Sequence, residues 1–430
     1  MYFKRNDVIT LDDTDKIVVE DLLGEGGQGE VYLVNYNGKR CALKVYKDKQ
    51  SSDFRYNLKN NIDRGAPSSD FLWPKMLLDF ESGRIGYLMD LRPSNFVSFV
   101  SYLTGKNPFA NRLTLLKWCI KLCTAFKQLH EKGYSYQDLN DGSFFLDKDT
   151  GELLICDNDN VTADKKNLGI LGKMRYMAPE IVRGELLPDM HSDRFSLAVI
   201  LFMALCLGNP YEGERLKNYD IVDERAEYEM YGTNPIFVYH KTDKSNRPIR
   251  GYHTSVLKRW AYLPIYVKEA FHRTFVDGLL DRENERTTEL EWLKILTKYR
   301  DELITCPHCQ YEYVLGFEEK QPYEVCPSCG QKTKQTCVLH VGKHKICLEP
   351  RKQIYEVHLD KYSANYDKVL ATVITNKLNP SLWGIKLALD SDVEIKDDVG
   401  NVKQIAKDGV IPIVKNLKIK FNENIIGEIE

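Results

Sequence analysis

The chain has 430 residues, of which 43% are hydrophobic and 28% charged, a balance typical of globular proteins. Because 60 basic residues stand against 62 acidic ones, no overall charge attracts the chain to nucleic acid or to an anionic membrane. The longest apolar stretch, Leu197–Leu207, is about half the length that a bilayer requires and is predicted to be a buried helix. The 11 cysteines are odd in number and include one metal-like cluster, and the first residues carry no apolar signal region, which together indicate a reducing cytoplasm rather than disulfides. With the charge balance and the short apolar stretch, the sequence predicts a cytoplasmic chain with no membrane and no nucleic-acid partner.

The N-terminal part of the chain alternates β-prone runs with turn residues, a pattern that predicts an antiparallel sheet. A polar, helix-compatible stretch at residues 53–63 interrupts the strands and ends before Gly65-Ala66-Pro67. These strands and the helix would complete a small lobe. The predicted strands are Ile17–Leu23, Val31–Tyr36, Arg40–Tyr46, Phe71–Leu78 and Arg84–Leu91.

Helical patterns dominate the middle of the chain. Apolar residues recur at helical spacing in Leu113–Lys132, and Gly133 ends that pattern. Leu153–Cys156 is predicted to be a short buried strand, and the chain from Met177 to Leu290–Tyr299 is mainly helical. Between them, Tyr211–Pro264 is rich in Tyr, Asn and Pro and gives no assignable element.

Three glycines with G-x-G-x-x-G spacing, Gly24, Gly26 and Gly29, stand between the first two strands, and Lys44 lies in the third. A glycine hairpin of this kind can lie over a triphosphate while a strand lysine holds the phosphates. The spacing also occurs in dinucleotide-binding folds, but there the glycines open a helix. An ordinary turn with an edge-strand lysine is the remaining alternative.

Two carboxylates follow in the order that phosphoryl transfer needs. Asp138 lies within Tyr136–Leu146, and Asp157 follows the short buried strand. Phosphoryl transfer requires one carboxylate to accept the substrate proton and another to hold Mg²⁺. A structural role is the simpler interpretation of either aspartate alone, but the ordered series of glycines, lysine and two aspartates favours an ATP site.

Residues 15–300 resemble the eukaryotic-type protein kinases. The resemblance rests on the glycine loop and on four strings: Ala42-Leu43-Lys44, Tyr136-Gln137-Asp138-Leu139, Asp157-Asn158-Asp159 and Ala178-Pro179-Glu180. It implies an α+β, bilobal fold, with a β-rich N-lobe and a helical C-lobe. It also implies transfer of the γ-phosphoryl group of ATP to serine or threonine of protein substrates, with Mg²⁺ as cofactor and Asp138 as the base.

The same resemblance assigns further roles. Phe145 would lie under the adenine, and Ser143 would join Asp157 as a Mg²⁺ ligand. Asp193 would start the central buried helix, and Arg286 would pair with Glu180. The other implied ATP-binding residues are Val31, Ala42, the gatekeeper Met89, and Asp90, Leu91 and Arg92 of the adenine hinge.

A narrower resemblance concerns a bacterial group of serine/threonine kinases with zinc-ribbon tails. It rests on Tyr136–Phe145, on Ile155–Val161, and on Tyr231–Pro235 with Ser245–Pro248. Members of that group occur in tellurium-resistance-like modules, beside metal-dependent phosphatases and von Willebrand A-domain proteins. The resemblance therefore implies partners of those two kinds.

Several residues depart from the kinase pattern. Gln137 replaces the arginine that binds a phosphorylated activation loop, which argues against control by that phosphorylation. Asn140 replaces a lysine that steadies the γ-phosphate, and Ser143 replaces an asparagine that ligates the second Mg²⁺.

The partner of Lys44 is a further departure, because no glutamate lies between Arg40 and Asp79. Asp53 or Asp63 could substitute only with changed geometry. The departures leave a second hypothesis open, a pseudokinase scaffold that binds nucleotide and partner proteins without efficient catalysis. Phosphorylation of a small molecule is disfavoured, because Ala178-Pro179-Glu180 with Asp193 resembles the lobe that binds protein substrates.

Four cysteines form two matched C-x₂-C pairs: Cys306 with Cys309, and Cys326 with Cys329. Two-residue gaps let each pair chelate one ion, and four thiolates close a tetrahedral structural Zn²⁺ site. The nearby histidines are predicted to be surface residues rather than ligands. They are His308, His340 and His344.

From about Val338 the sequence predicts short strands of an antiparallel sandwich or barrel, which weakly resembles the phosphopeptide-binding forkhead-associated domains. The stretch has no clear Arg/Ser/Asn constellation for phosphothreonine, so a packing or adaptor role is an equal alternative. The predicted domains are a kinase domain at 1–301 (lobes about 1–91 and 92–301), a zinc ribbon at 302–337 and a small all-β domain at 338–430. The predicted strands are Lys345–Leu348, Tyr355–Leu359, Val369–Thr375, Trp383–Leu389, Val393–Ile395, Val410–Val414, Leu417–Phe421 and Ile425–Ile429.

Overall fold

The computed structural model describes residues 2–11, 15–316, 325–332, 336–360 and 362–430. The chain forms two compact units, and each is described by itself. The first unit consists of Met1–Ala110, Ala125–Leu257 and Phe271–Glu289. The second consists of Asn111–Thr124, Lys258–Ala270 and Leu290–Glu430.

The first unit begins with a six-stranded antiparallel sheet. In spatial order its strands are Val8–Thr10, Lys16–Glu25, Gly29–Tyr36, Lys39–Tyr46, Ile85–Asp90 and Met76–Asp79. The predicted strand Phe71–Leu78 is wrong in its first half. Pro74 explains the loss, because proline has no N–H for a ladder and restricts the residue before it. Val8–Thr10 is an additional edge strand.

The helix predicted at residues 53–63 spans Ser52–Arg64. The Ser51 side chain accepts from the backbone N–H of Phe54 at its start, and the Gly65 N–H bonds to the last carbonyls at its end. Phe54 and Leu58 are buried and pack with Tyr46 and Tyr87 of the sheet. The helix therefore lies against the strand that carries Lys44.

Helices are the main regular elements of the remaining described residues before 303. Met190–Cys206 is buried along nearly its whole length, as predicted for Leu197–Leu207, and Asp189 caps its start. Tyr211–Pro264 holds short helices and turns, fixed in part by buried Asn246, which donates to the carbonyls of Tyr211 and Ile236. The helices are Phe99–Leu103, Arg112–Glu131, Pro179–Val182, Met190–Cys206, Glu224–Tyr228, Glu229–Thr233, Thr254–Ala261, Ile265–Phe275 and Glu289–Glu302, with 3-10 turns at Asp141–Ser143, Asn158–Asn160, Glu214–Asn218 and Asp277–Leu279.

Small sheets carry the loops of the candidate site. Val97–Ser98, Phe144–Leu146 and Leu153–Ile155 form one sheet, and Tyr134–Ser135 pairs with Thr162–Ala163. Asp138 follows one of these strands, and Asp157 follows another. Among the described residues, no helix combines the length and the apolar character that a membrane crossing requires.

The described residues of the second unit form three antiparallel sheets. Leu303–Thr305 pairs with Glu312–Val314 beside the cysteines. Two larger sheets share one hydrophobic core, which includes Leu339, Ile385 and Phe421. The six-stranded sheet has the spatial order His344–Cys347, Val338–Val341, Ile425–Ile429, Lys418–Asn422, Val393–Lys396 and Val402–Ile405, and the four-stranded sheet has the order Gln353–Tyr355, Val369–Thr375, Trp383–Leu387 and Val410–Pro412.

One predicted strand of this unit is wrong. Tyr355–Leu359 becomes a helix at Glu356–Leu359, directly after the strand Gln353–Tyr355. The backbone N–H of Tyr355 donates to His358 Nδ1, which turns the chain at this point. His344 and His358 pair with buried Asp301, so His344 is half-buried and not a surface residue.

Candidate active site

The glycine hairpin, defined here as Lys16–Glu25 with Gly29–Tyr36, turns at residues 26–28. The Gly26 N–H donates to the Gly29 carbonyl at 2.9 Å. A Cβ on Gly29 would lie 2.4 Å from the Val45 carbonyl oxygen, whereas Gly24 has open space around it. Gly29 is therefore required by the neighbouring strand, and Gly24 and Gly26 leave the hairpin tip uncrowded.

The sheet register places the predicted nucleotide-binding side chains on one face. Val31 lies opposite Lys44, and Ala42 lies opposite Met89. Side chains directly opposite each other, and those two residues apart in a strand, share a face of the sheet. Val31, Ala42, Lys44 and Met89 therefore face the same side.

Lys44 is buried and pairs with two carboxylates of the same short segment. Its Nζ lies 2.8 Å from Asp159 Oδ2 and 3.5 Å from Asp157 Oδ1. Asp53 and Asp63 are exposed on the first helix, so the idea that either replaces the missing glutamate is wrong. Sequence reasoning missed Asp159, although a second acid two residues after Asp157 was a visible signal.

Two tyrosines complete the surroundings of Asp159. Tyr46 donates to Asp159 Oδ2, and Tyr87 donates to Asp159 Oδ1 at 3.2 Å. Burial alone would raise the pKa of Asp159, but Lys44 and the Tyr46 hydroxyl hold that pKa below its usual value. Asp159 is therefore a carboxylate that stays charged because each oxygen has a donor.

The first helix contributes two amides to this segment instead of a carboxylate. Asn57 and Asn61 are buried one turn apart, and both side chains donate to the Val161 carbonyl at 2.8 Å. Asparagines four residues apart share one face of a helix. They hold the helix against the backbone that follows Asp159.

The loop that carries Asp138 is held by the buried helix Met190–Cys206. Asp193, in its first turn, accepts from the backbone N–H groups of Tyr136 at 2.6 Å and of Gln137 at 3.0 Å. Its Oδ2 also lies 3.1 Å from His130 Nε2. Gln137 has φ of 73°, a left-handed conformation that these contacts maintain.

Asp138 is half-buried next to Asn140. The Asn140 side chain donates to Asp138 Oδ1 at 3.1 Å and accepts from Lys173 Nζ at 3.0 Å. Burial raises the pKa of Asp138, and the nearby charge of Asp157 adds to that rise. Asp138 and Asp157 are therefore close enough to interact electrostatically.

The Gln137 side chain connects two segments of the candidate site. We name residues 136–146 the catalytic loop and residues 157–180 the activation segment. The Gln137 amide nitrogen donates to Thr162 Oγ1 at 2.6 Å and to the Lys166 carbonyl, and its oxygen accepts from Asn167 Nδ2 at 2.9 Å. These contacts use neutral groups. Sequence reasoning noted the lost arginine but not this replacement.

Asp157 and Ser143 differ in their access to a metal ion. Asp157 has φ of 54°, and its side chain is 54% exposed, so the Asp157 carboxylate is open to solvent. Ser143 is fully buried, and its hydroxyl lies 3.5 Å from the Asp138 carbonyl oxygen. The carboxylates Asp138, Asp157 and Asp159 outnumber the neighbouring cations Lys44 and Lys173, so the donor set fits a hard cation such as Mg²⁺ at Asp157.

The strand Ile85–Asp90 ends at the predicted hinge. Asp90 pairs there with Lys39 at 3.0 Å and with Lys75, and Leu91 follows it. The Arg92 guanidinium lies 4.0 Å from the centre of the Phe145 ring. The hinge and the predicted adenine floor are therefore in contact.

Glu180 and Arg286 form a buried, two-pronged ion pair with both N–O distances at 2.8 Å. Arg286 also donates to the carbonyls of Gly278 and His191. The positive charge of Arg286 keeps the pKa of Glu180 below its usual value, against the effect of burial. The end of the activation segment is anchored in this way.

The four cysteines of the second unit converge. Sγ of Cys306 lies 3.7 Å from that of Cys329, and Sγ of Cys309 lies 3.6 Å from that of Cys326. All four sulfur atoms lie within 4.8 Å of one another. A tetrahedral ion with metal–sulfur bonds of about 2.3 Å would place its sulfurs about 3.8 Å apart. The cluster can hold a metal ion, and the donor set fits zinc.

Residues 84–293 match the family model described as the protein kinase domain. The chain is 28% identical over 209 residues to ribosomal protein S6 kinase alpha-6 of Danio rerio, covering 45% of this chain and 27% of the relative. It is 25% identical over 214 residues to serine/threonine-protein kinase sck2 of Schizosaccharomyces pombe, covering 46% and 32%. The chain thus spans about a quarter to a third of the length of these relatives.

Two further proteins, one sequence relative and one solved structure, are also similar to this chain. The chain is 24% identical over 214 residues to serine/threonine-protein kinase mos of Patiria pectinifera, covering 46% of this chain and 59% of the relative. A solved kinase domain, that of Mycobacterium tuberculosis PknI, is 17% identical and covers 69% of this chain and 98% of that chain, with a TM-score of 0.46. The family model and the sequence relatives lead to one conclusion: residues 84–293 of this chain are similar to protein kinase domains.

Proposed function

We propose that the chain transfers the γ-phosphoryl group of ATP to serine or threonine hydroxyls of protein substrates. The single observation that carries the proposal is the network that joins Lys44, Asp157 and Asp159 beside Asp138. A phosphate-binding cation, a metal-binding acid and a base are the parts that phosphoryl transfer requires.

Nucleotide binding is assigned to the face of the sheet that carries Lys44. The glycine hairpin would cover the phosphates, and Lys44 would hold them while Asp159 keeps the ammonium in place. Met89 and the backbone of Asp90 and Leu91 would border the adenine, with Phe145 beneath it.

Asp138 is assigned as the base. It accepts the proton of the substrate hydroxyl while the oxygen attacks the γ-phosphorus. Its raised pKa suits this role, because a more basic carboxylate is a better proton acceptor. Asn140 orients the carboxylate through the bond to Oδ1.

Mg²⁺ would be held by Asp157, with Ser143 as the proposed second ligand. When bound, the ion supplies positive charge to the phosphates. Desolvation inside the cleft raises the pKa of Asp157, with Lys44 acting against that rise, so a bound cation would favour its charged form.

The substrate class is inferred from the activation segment and from the relatives. The Glu180–Arg286 pair anchors the segment that precedes the buried helix Met190–Cys206. Two of the relatives named above, sck2 and mos, are serine/threonine-protein kinases. A small-molecule substrate is disfavoured because Ala178-Pro179-Glu180 with Asp193 resembles the lobe that binds protein substrates.

A pseudokinase scaffold is the second candidate, and the burial of Ser143 favours it. A serine hydroxyl that lies inside the protein is a poorer metal ligand than an exposed amide oxygen. A scaffold would bind ATP without transferring phosphate.

Incubation of the chain with γ-labelled ATP, Mg²⁺ and a general protein substrate separates the two candidates. We expect labelled serine or threonine, and we expect Asp138→Asn to abolish it. Asp149→Asn, which changes an exposed carboxylate of a turn, is the matched control and should retain labelling. ATP binding without labelling would favour the scaffold.

The remaining assignments are proposals that the resemblance supports. They comprise the division into residues 1–301, 302–337 and 338–430, a structural zinc ion at the four cysteines, and a cytoplasmic location. Proposed partners are protein substrates and co-encoded phosphatases and von Willebrand A-domain proteins. For residues 338–430, a packing or adaptor role and a forkhead-associated-like role are the two alternatives.

A further inference from the structure

Lys173 brings a positive charge from the activation segment into the catalytic loop. Its Nζ donates to Asn140 Oδ1 at 3.0 Å, and Asn140 Nδ2 donates to Asp138 Oδ1 at 3.1 Å. The three side chains therefore form a continuous chain that ends at the proposed base.

The ammonium of Lys173 acts on both carboxylates of the proposed reaction. Burial raises the pKa of Asp138, and the charge of Lys173 opposes that rise. Desolvation likewise raises the pKa of Asp157, and Lys173 opposes it there as well, although Lys44 has the larger effect. By geometry, Lys173 is linked to the proposed base Asp138 through the single side chain of Asn140.

The backbone around Lys173 is fitted closely to the catalytic loop. Gly172 has φ of 91°, and a Cβ there would lie 3.3 Å from both Asp138 Oδ1 and the Gln137 carbonyl oxygen. On the other side, the Lys173 carbonyl accepts from the N–H groups of Tyr176 and Met177. The lysine is therefore held in place by its own backbone, while its side chain remains exposed to an incoming ligand.

Asn140 occupies the position at which the resembling kinases have a lysine for the γ-phosphate. An amide has no charge with which to neutralise a phosphate oxygen. The structure supplies the missing cation at the same place, but from a different element of the chain.

We propose that Lys173 is a catalytic residue of the phosphoryl transfer, and that its ammonium contacts the γ-phosphoryl group. The proposal rests on the proposed function. In the step, the hydroxyl oxygen of the substrate bonds to the γ-phosphorus, and the bond to the β,γ-bridging oxygen breaks with its electron pair leaving on ADP. The hydroxyl proton goes to Asp138. Lys173 keeps its protons and neutralises charge on the transferred group.

This assignment couples catalysis to the activation segment. If the part of the segment around Lys173 leaves the catalytic loop, the base Asp138 stays in place but the γ-phosphate cation is lost. This part of the segment would then control turnover without moving Lys44 or Asp157.

A structural role is the competing explanation, in which Lys173 only positions Asn140 by a hydrogen bond. Two variants of the full chain separate the roles. Lys173→Gln retains a hydrogen-bond donor without charge, and Lys173→Met removes both. Lys165→Met, at another lysine of the same segment, is the matched control.

The measurement is kcat and KM for ATP with Mg²⁺ and a general protein substrate. We expect both Lys173 variants to lose about 10²–10³-fold in kcat, the loss typical of removing one preorganised charge-stabilising donor, with a much smaller change in KM. Lys165→Met should keep wild-type values. If Lys173→Gln stays within about threefold of wild type, the charge is not used and the proposal is overturned, while transfer by the wild type would leave the proposed function standing. If the wild type transfers no phosphate, both the proposed function and the role of Lys173 are overturned.

Discussion

Lys44 Nζ lies 2.8 Å from Asp159 Oδ2, so the buried lysine takes its partner from the segment of Asp157 rather than from the first helix. The helix Ser52–Arg64 contains no glutamate, and it contacts this segment through Asn57 and Asn61 instead. Lys44 therefore lies in a strand, while its partner Asp159 and the proposed metal ligand Asp157 lie in one short turn. The position of Lys44 then does not require a charged contact from the helix.

The first prediction concerns this pair. Asp159→Asn should lower kcat/KM for ATP by at least about tenfold, because Lys44 would keep only the more distant Asp157. Removal of one partner of a buried ion pair also destabilises a protein by about 3–5 kcal/mol. Kinetic assays and urea unfolding measure the two effects. Asp53→Asn, at an exposed carboxylate of the first helix, should change neither, and an active, stable Asp159→Asn variant would contradict the assignment.

The second prediction concerns activation. Between Asp157 and Glu180 the hydroxyl side chains are Thr162 and Tyr176, and both are buried. Gln137 already holds this segment with neutral hydrogen bonds, so phosphatase treatment should leave activity unchanged. Gln137→Ala should lower activity and destabilise the first unit by about 1–3 kcal/mol, since it removes the hydrogen bonds of a buried amide to Thr162, Lys166 and Asn167. Loss of activity on phosphatase treatment would show that a phosphorylated residue is needed.

The third prediction concerns the cysteine cluster. Metal analysis of the purified chain should find about one zinc ion per molecule, because four convergent thiolates close a tetrahedral site. Cys309→Ser should lose the ion and make the second unit sensitive to protease, since metal binding and folding are coupled in such modules. Cys337→Ser, outside the quartet in the same unit, should retain zinc. Full zinc content in Cys309→Ser would rule out the proposed ligand set.

The fourth prediction concerns pH. His130 lies between Glu289 at 2.9 Å and Asp193 at 3.1 Å, with Arg194 also contacting Glu289. Burial alone would lower the pKa of His130, but the two carboxylates raise it to about 9 from 6.5. A raised pKa stabilises the folded state below the unfolded value, and that stabilisation is lost as pH rises through the folded value.

The free energy of unfolding should therefore fall by about 3 kcal/mol between pH 6.5 and about 9, at about 1.36 kcal/mol per pKa unit. Urea midpoints measured across this range test the expectation. His130→Gln has no ionisable ring and should lack this part of the pH dependence. An identical pH profile in the variant would show that His130 is not the group responsible.

Local patterns were enough to predict many of the elements. The strands Val369–Thr375 and Ile425–Ile429 have the bounds expected from the sequence, and the helix Ser52–Arg64 differs from its prediction by one residue at each end. Alternating β-prone runs and helical spacing are properties of neighbouring residues, so a single sequence reveals them. Glu356–Leu359 was mistaken for strand because a short apolar run fits both periods, and Tyr211–Pro264 could not be assigned because distant carbonyls hold it through Asn246.

Some features of the candidate site were likewise predictable from the sequence, and others were not. The sequence itself determines two motifs, because each consists of residue types at fixed intervals. They are the ordered series of glycines, Lys44, Asp138 and Asp157, and the spacing of the four cysteines. Only the tertiary structure decided three further contacts of the site. They are the pairing of Lys44 with Asp159, the hydrogen bonds of Gln137 to the activation segment, and the link from Lys173 to Asp138 through Asn140. Each of these three contacts joins residues that lie far apart in the chain. Only the folded chain brings their polar atoms within hydrogen-bonding distance.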